Sequence, residues 1–168
     1  MSAAAPRVGL VAIGRNEGER LKRCLRCVPA DCPVVYVDSG STDGSVAFAQ
    51  SLDMTVENLA MDRPFTAARA RNTGWRSLLA DHPGLTYIQF VDGDCELDRD
   101  WVAKGVAALD GEADLCVAFG RVRERFPQAS IYNELCDDEW NVPVGLVNHC
   151  GGIAMFRTSA LSSVDGYR

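Results

Sequence analysis

Four short runs, Val8–Ile13, Val34–Val37, Thr86–Val91 and Leu115–Phe119, are almost wholly apolar and rich in β-branched residues. A strand with one wet face alternates apolar and polar residues. A strand covered on both faces does not, and such strands belong to parallel sheets. The runs are separated by helical patterns. Leu21, Cys24, Leu25 and Val28 repeat at i, i+3, i+4 and i+7. Ala68, Arg71, Trp75, Leu78 and Leu79 share a second helical face, with Arg71 at its edge, and Val102, Val106 and Leu109 mark a third. Strands alternating with helices in this way predict a doubly wound α/β layer with right-handed crossovers.

A length of 168 residues fits one domain, and no Pro/Gly/Ser-rich linker or repeat divides it. The net charge of −6 argues against a nucleic-acid partner, which would need a basic face. No stretch approaches the ~18 apolar residues that cross a bilayer, so no transmembrane segment is expected. The start, MSAAAPRVGLVAIG, lacks the basic and long apolar regions of a signal peptide, so the localisation expected is cytoplasmic, with a peripheral membrane role left open. Seven cysteines lie mostly within apolar runs. Cys24, Cys27 and Cys32 have no second ligand pair at zinc-finger spacing, so free thiols are expected rather than zinc.

Two of the apolar runs end in aspartate. VVYVD stops at Asp38, before the turn SGSTDGS, and YIQFVD stops at Asp92, which opens Asp92-Gly93-Asp94. In open α/β sheets ligands bind beyond the carboxyl ends of the strands, where strand order reverses. If both strands are central and parallel, both carboxylates reach that crevice. Hard divalent ions prefer carboxylate oxygens and keep positions free for phosphates, and a glycine between two aspartates lets both approach one ion. A solvated acidic turn is the competing reading. Asp43 is explained by a helix starting near it, with Ser41 or Thr42 as the N-cap. No G-x-G-x-x-G follows the first strand, and no G-x-x-x-x-G-K-[ST] or G-x-S-x-G occurs, which disfavours dinucleotide oxidoreductases, P-loop ATPases and serine hydrolases.

The segments VGLVAIGRNEGERLKRCLRCV, VVYVDSGSTDGSVAFAQ, ARNTGW, FVDGDCELDRDW and CGGIAMFRTSALSSVDGYR resemble, in order and spacing, the family 2 glycosyltransferases. That resemblance implies a GT-A-like (Rossmann-like), mostly parallel sheet flanked by helices in one domain over residues 1–168. It also implies a nucleotide-diphospho-sugar donor (a UDP-sugar by family expectation), a divalent cofactor, Mn2+ or Mg2+, and a saccharide or other hydroxyl acceptor, with inversion. By the same analogy Arg15 and Glu17 lie beside the base and ribose, and Asp38 hydrogen-bonds the base. Arg71 reaches the nucleotide, the other reading being a helix-edge ion pair. Asn72 and Gly74 shape the start of that helix. Asp92 faces ribose or metal, and Asp94 is the chief metal ligand. Gly14 stands where the family often has proline. The chain stops at VDGYR, before the family's usual E-D base motif, so the expectation is the N-terminal part of a longer family domain. Asp137, Asp138 and Glu139 are the substitute bases available, against a solvated helix face with Trp140 packed beneath it. Trp140, His149, Gly151 and Gly152 are the acceptor-side candidates, and the 127–146 stretch is expected to be a helix and loop laid over the sheet. The alternatives are a non-catalytic nucleotide-sugar-binding module and a metal-dependent phosphohydrolase.

Overall fold

The computed structural model describes residues 7–168. One six-stranded sheet runs in the order β3-β2-β1-β4-β6-β5. Its strands are β1 Val8–Gly14, β2 Val34–Asp38, β3 Thr55–Asn58, β4 Tyr87–Asp92, β5 Val117–Ala118 and β6 Ala154–Arg157. β1 to β4 are mutually parallel, while β6 runs antiparallel to β4 and β5 antiparallel to β6. The chain therefore leaves β1 in one direction, to β2 and β3, and returns to pair β4 on the other side of β1. This is a topological switch point, and it lies between β1 and β4.

β1, β2 and β4 are buried because helices cover both faces. α1 (Glu19–Arg26) and α2 (Ser45–Gln50) flank one face, where Leu10, Ala12, Tyr36 and Val91 pack with Leu21, Cys24, Leu25 and Ala49. α3 (Ala67–Asp81) crosses the other, packing Ala70, Trp75 and Leu78 on Val11, Val37 and Phe90. α4 (Trp101–Gly111) closes a third cluster of Val8, Tyr87, Leu109 and Met155. α6 is Thr158–Ser163.

α3 can lie this close because of Gly74. A Cβ there would overlap Val11 Cγ1 and come within 3.0 Å of Val37 Cγ2. Asn72 and Gly74 therefore sit mid-helix rather than shaping the helix start, which is capped by Thr66 accepting from the Arg69 amide at 3.1 Å.

Four further expectations are corrected. Leu115–Phe119 contributes only a two-residue edge strand, and β3, a short edge segment with mixed exposure, carries too little apolar signal to be read. α2 begins at Ser45 after Gly44 in a left-handed conformation (φ 85°), so neither Ser41 nor Thr42 is its N-cap. α5 (Ile131–Glu139) is not laid over the sheet by its apolar side: Ile131, Tyr132 and Leu135 are exposed, and Asp137 is its buried residue. Trp140 is likewise exposed rather than packed beneath the helix.

Candidate active site

The carboxyl ends of β1, β2 and β4 meet at one edge. Gly14 pairs with Asp38 and Ile13 with Asp92, so the two aspartates flank β1 within one residue of the same level. Two inter-strand spacings separate their backbones, roughly 10 Å. Because the register differs by one, the pleat turns them to opposite faces. Asp38 lies on the α1/α2 side with Tyr36, and Asp92 on the α3 side with Arg71. Sequence reasoning foresaw a shared end; the divergence of the two side chains depends on register.

Asp38 is 2% exposed. Its Oδ1 accepts from the Tyr36 hydroxyl (2.9 Å), and its Oδ2 accepts from the backbone amides of Gly40 (2.9 Å) and Ser41 (2.7 Å). The carboxylate thus builds its own turn, with one acceptor position to spare out of about four. Burial pushes the Tyr36 hydroxyl's pKa up and keeps it the donor. The next loops are laced to this turn. Asn16, at φ 56°, donates its amide to Ser41 Oγ (2.9 Å) and accepts from the Thr42 amide (2.7 Å). Asp43 accepts from the Gly18 and Ser45 amides, so it bridges two loops as well as serving α2. Arg15 stands exposed at the mouth without an ion pair among the described residues.

The turn after β4 is fixed from beneath. Gly93 donates to the Ile13 carbonyl (2.8 Å), Cys95 donates to the Asp92 carbonyl (2.9 Å), and the Cys24 thiol donates to that same carbonyl (3.7 Å). Glu96, the third acid of this stretch, is taken up by Arg23 at 2.9 Å and by Arg125. Asp94 is left exposed, touched by the Cys95 thiol at 3.4 Å. Burial, with Asp94 adding, raises the Cys95 thiol to about 12, so it remains a neutral neighbour.

Glu17 reaches this turn from the β1 loop, its Cγ 3.4 Å from where a Gly93 Cβ would stand. The Arg20 guanidinium is 2.7 Å from Glu17 Oε2 but off the line a hydrogen bond needs, and that oxygen is buried with no hydrogen bond. Burial raises the Glu17 pKa above its ordinary value; Arg20 opposes this, and Asp94 and Asp43 add to it. A half-buried acid whose pKa is raised beside two other carboxylates marks where a cation would relieve repulsion. Among the described residues no set of three or more His, Cys, Asp or Glu side chains converges into a finished metal cage. The donors available are hard carboxylate oxygens with open positions, the chemistry that suits Mg2+ or Mn2+ shared with phosphates.

On the α3 side Arg71 Nη2 pairs with Asp92 Oδ1 at 2.7 Å, and the arginine side chain is only 11% exposed. A Cβ on Gly152 would overlap Arg71 Nη2 and come within 2.9 Å of Asp92 Oδ2, so the Gly152 backbone lies directly against the pair. Of the acceptor-side candidates, Gly152 reaches the strand-end acids. Gly151 faces open space, and neither Trp140 nor His149 is tied to those acids by a hydrogen bond or ion pair among the described residues. Asp137 accepts from Arg123 Nε (2.9 Å), the Glu124 amide (2.9 Å) and Arg121 (3.4 Å), and the Arg123 hydrogen bond is the chief reason its pKa is lowered. Asp138 and Glu139 are exposed. All seven cysteines are free. Asn72 has a role that its position in ARN did not signal: its carboxamide grips the backbone of Tyr167, 95 residues away.

A mostly parallel α/β sheet with carboxylates at the strand ends of its switch point is a fold of GT-A type, and comparison with known proteins agrees. Residues 11–164 match the family described as glycosyl transferase family 2, and the chain belongs to that family. A Haloferax volcanii protein named Glycosyltransferase AglE is 27% identical over 151 residues, 84% of this chain and 48% of the relative. The mannosyltransferase PcManGT of Pyrobaculum calidifontis, solved with GDP-Man and Mn2+, superposes with a TM-score of 0.64 at 22% identity, over 98% of this chain and 48% of that one. Glucosyl-3-phosphoglycerate synthase of Mycobacterium tuberculosis, solved with UDP, gives 0.60 at 20% identity, over 93% and 58%. These structural likenesses show the shared fold. The chain spans about half the length of these relatives.

Proposed function

We propose that this domain binds a nucleotide-diphospho-sugar at the β1–β4 crevice together with a divalent cation, and that the enzyme it belongs to transfers the sugar to a hydroxyl acceptor with inversion. The observation that carries this reading is the exposed Asp94 beside the Glu17 carboxylate, whose buried oxygen makes no hydrogen bond, at the end of a buried strand at the switch point. Asp94, with Asp92, would hold Mn2+ or Mg2+; the ion would act as a Lewis acid on the diphosphate leaving group. Arg71 has spare donors and would add charge-assisted hydrogen bonds to phosphate. The laced loops around Asp38, Arg15 and Asn16 would hold the nucleoside, with Asp38's free acceptor position available to the base. In the transfer the anomeric carbon–oxygen bond to the diphosphate breaks, a bond to the acceptor oxygen forms, and the acceptor's proton passes to a base.

The base is where a second reading enters. Asp137 is held deprotonated by two arginines with its oxygens occupied, which makes it a poor proton acceptor. That favours, for residues 1–168 alone, binding of the donor without transfer. UDP- and GDP-sugars are the donors to try first, since solved relatives carry UDP and GDP-Man. A thermal-shift panel of nucleotides and nucleotide-sugars with Mn2+ or chelator tests the reading. Ligand at ~100-fold excess over Kd adds about 2.7 kcal/mol. At ~2–4 °C per kcal/mol for a chain of this size, Tm rises by roughly 5–11 °C. No shift with any nucleotide would sink the proposal. A shift without turnover would select the binding-module reading.

A further inference from the structure

We infer that Tyr167 is a positioning residue for Arg71, an inference that rests on reading Arg71 as a nucleotide contact. Arg71 spends one guanidinium nitrogen on Asp92, and its Nε is buried without a partner. A long cation with unused donors would ordinarily swing toward water, since solvation and rotamer freedom both favour it. Two things prevent that. The Gly152 backbone lies against one side of the pair. The Tyr167 ring lies against the guanidinium, with Arg71 Cζ 5.4 Å from the ring centroid.

The ring is itself held rigidly. Phe90 and Phe156 pack edge-on to it at centroid distances of 5.2 and 5.6 Å. Its backbone is bracketed by Asn72, whose Nδ2 donates to the Tyr167 carbonyl (2.7 Å) and whose Oδ1 accepts from the Tyr167 amide (2.9 Å). Trp75 Nε1 donates to the same Oδ1 at 3.1 Å and fixes the orientation of the carboxamide. Gly166, at φ 88°, lets the chain make this approach, and a Cβ there would overlap Asn72 Oδ1. Residue 72 therefore anchors the segment that supports residue 71, and the support ends beside Asp92 at the cleft. The Tyr167 hydroxyl is buried with no hydrogen-bond partner, so the aromatic face, not the oxygen, does the holding. A cation held over a π face in a desolvated place keeps its charge while losing its freedom.

The test is titration calorimetry of UDP and of GDP with Mn2+ on wild type, Tyr167→Phe, Tyr167→Leu, Arg71→Met and the Arg71→Met/Tyr167→Leu double variant. Tyr167→Phe retains wild-type affinity. Tyr167→Leu weakens binding by about 2- to 30-fold, the range of cation–π contacts from exposed to desolvated. In the Arg71→Met background the leucine has no further effect, because the residue it positions is gone. An equal loss in both backgrounds would mean general packing and overturn the inference. Wild-type affinity for Tyr167→Leu while Arg71→Met binds poorly would overturn it alone. Unchanged binding in Arg71→Met would remove the reading beneath it. Hydrogen exchange at Arg71 Nε–H gives an independent readout without ligand: slow exchange in wild type and Tyr167→Phe but fast in Tyr167→Leu supports the inference, and equal rates in all three contradict it.

Discussion

Gly74→Ala puts a number on the contact that seats α3. Ordinarily this change stabilises a helix by about 1 kcal/mol, since glycine loses more backbone entropy on folding. Here the added methyl would overlap Val11 Cγ1 and stand 3.0 Å from Val37 Cγ2, and both valines are fully buried. Carbon–carbon contacts relax to ~3.5–4.0 Å, so helix and sheet must separate by roughly 0.5–1 Å at Val37 and by more than ~1 Å at Val11. The valines cannot readily yield, because β-branched side chains have few χ1 choices. Overpacking of this kind costs about 1–3 kcal/mol. With the overlap at Val11 placing it in the upper half, the net loss is about 1–2 kcal/mol. For a chain of this size Tm then falls by ~2–8 °C. Arg71 lies three residues earlier on the same helix, so the lift also loosens its pair with Asp92 and weakens nucleotide binding. Differential scanning calorimetry with a parallel urea titration measures the stability change. A Tm rise of ~2–4 °C, the bare propensity gain, would refute the close seating of α3.

Three further outcomes are expected. Gly152→Ala drives its methyl into Arg71 and Asp92, so nucleotide affinity falls while far-UV circular dichroism stays unchanged; wild-type affinity would show that the loop lies elsewhere. Burial raises the Glu17 pKa, so its contribution to stability is present below its ordinary 4.5 and lost as pH rises through the higher folded value. Glu17→Gln therefore gains on wild type in Tm as pH climbs through that window while showing a smaller Mn2+-induced shift, and a Tm difference that is flat with pH would contradict this. Asp110 is held down to about 2, first by the Arg7 hydrogen bond and then by that of Tyr87. Its contribution is present above the ordinary 3.8 and lost as pH falls through about 2, so the gap between wild type and Asp110→Asn should close in acid titrations.

The central strands were legible because β1, β2 and β4 are buried on both faces, and an unbroken apolar run so short is what a doubly covered strand requires. β3, spelled TVEN, was not, because an edge strand can stay partly polar and still pair with Val35–Asp38. The acids at residues 38, 92 and 94 stood out because charge directly after a buried run is costly unless the run ends at an open edge. Their division between faces follows from pairing register, which no local pattern encodes. The Asn72–Tyr167 bracket was hidden for a similar reason. It joins residues 95 apart, and its cue in the sequence is an ordinary asparagine on a helix. The 127–146 stretch reads as a helix and loop laid over the sheet, yet Ile131, Tyr132 and Leu135 of α5 are exposed, since composition can suggest a helix but not where its faces point.

Calorimetry of a nucleoside diphosphate binding to wild type and to Asp94→Ala, with Mn2+ and with chelator, bears most directly on the strand-end carboxylates. Wild type should bind far more tightly with Mn2+ than with chelator, and Asp94→Ala should bind weakly and identically in both. Equal affinity for the two proteins in the presence of Mn2+ would contradict the account.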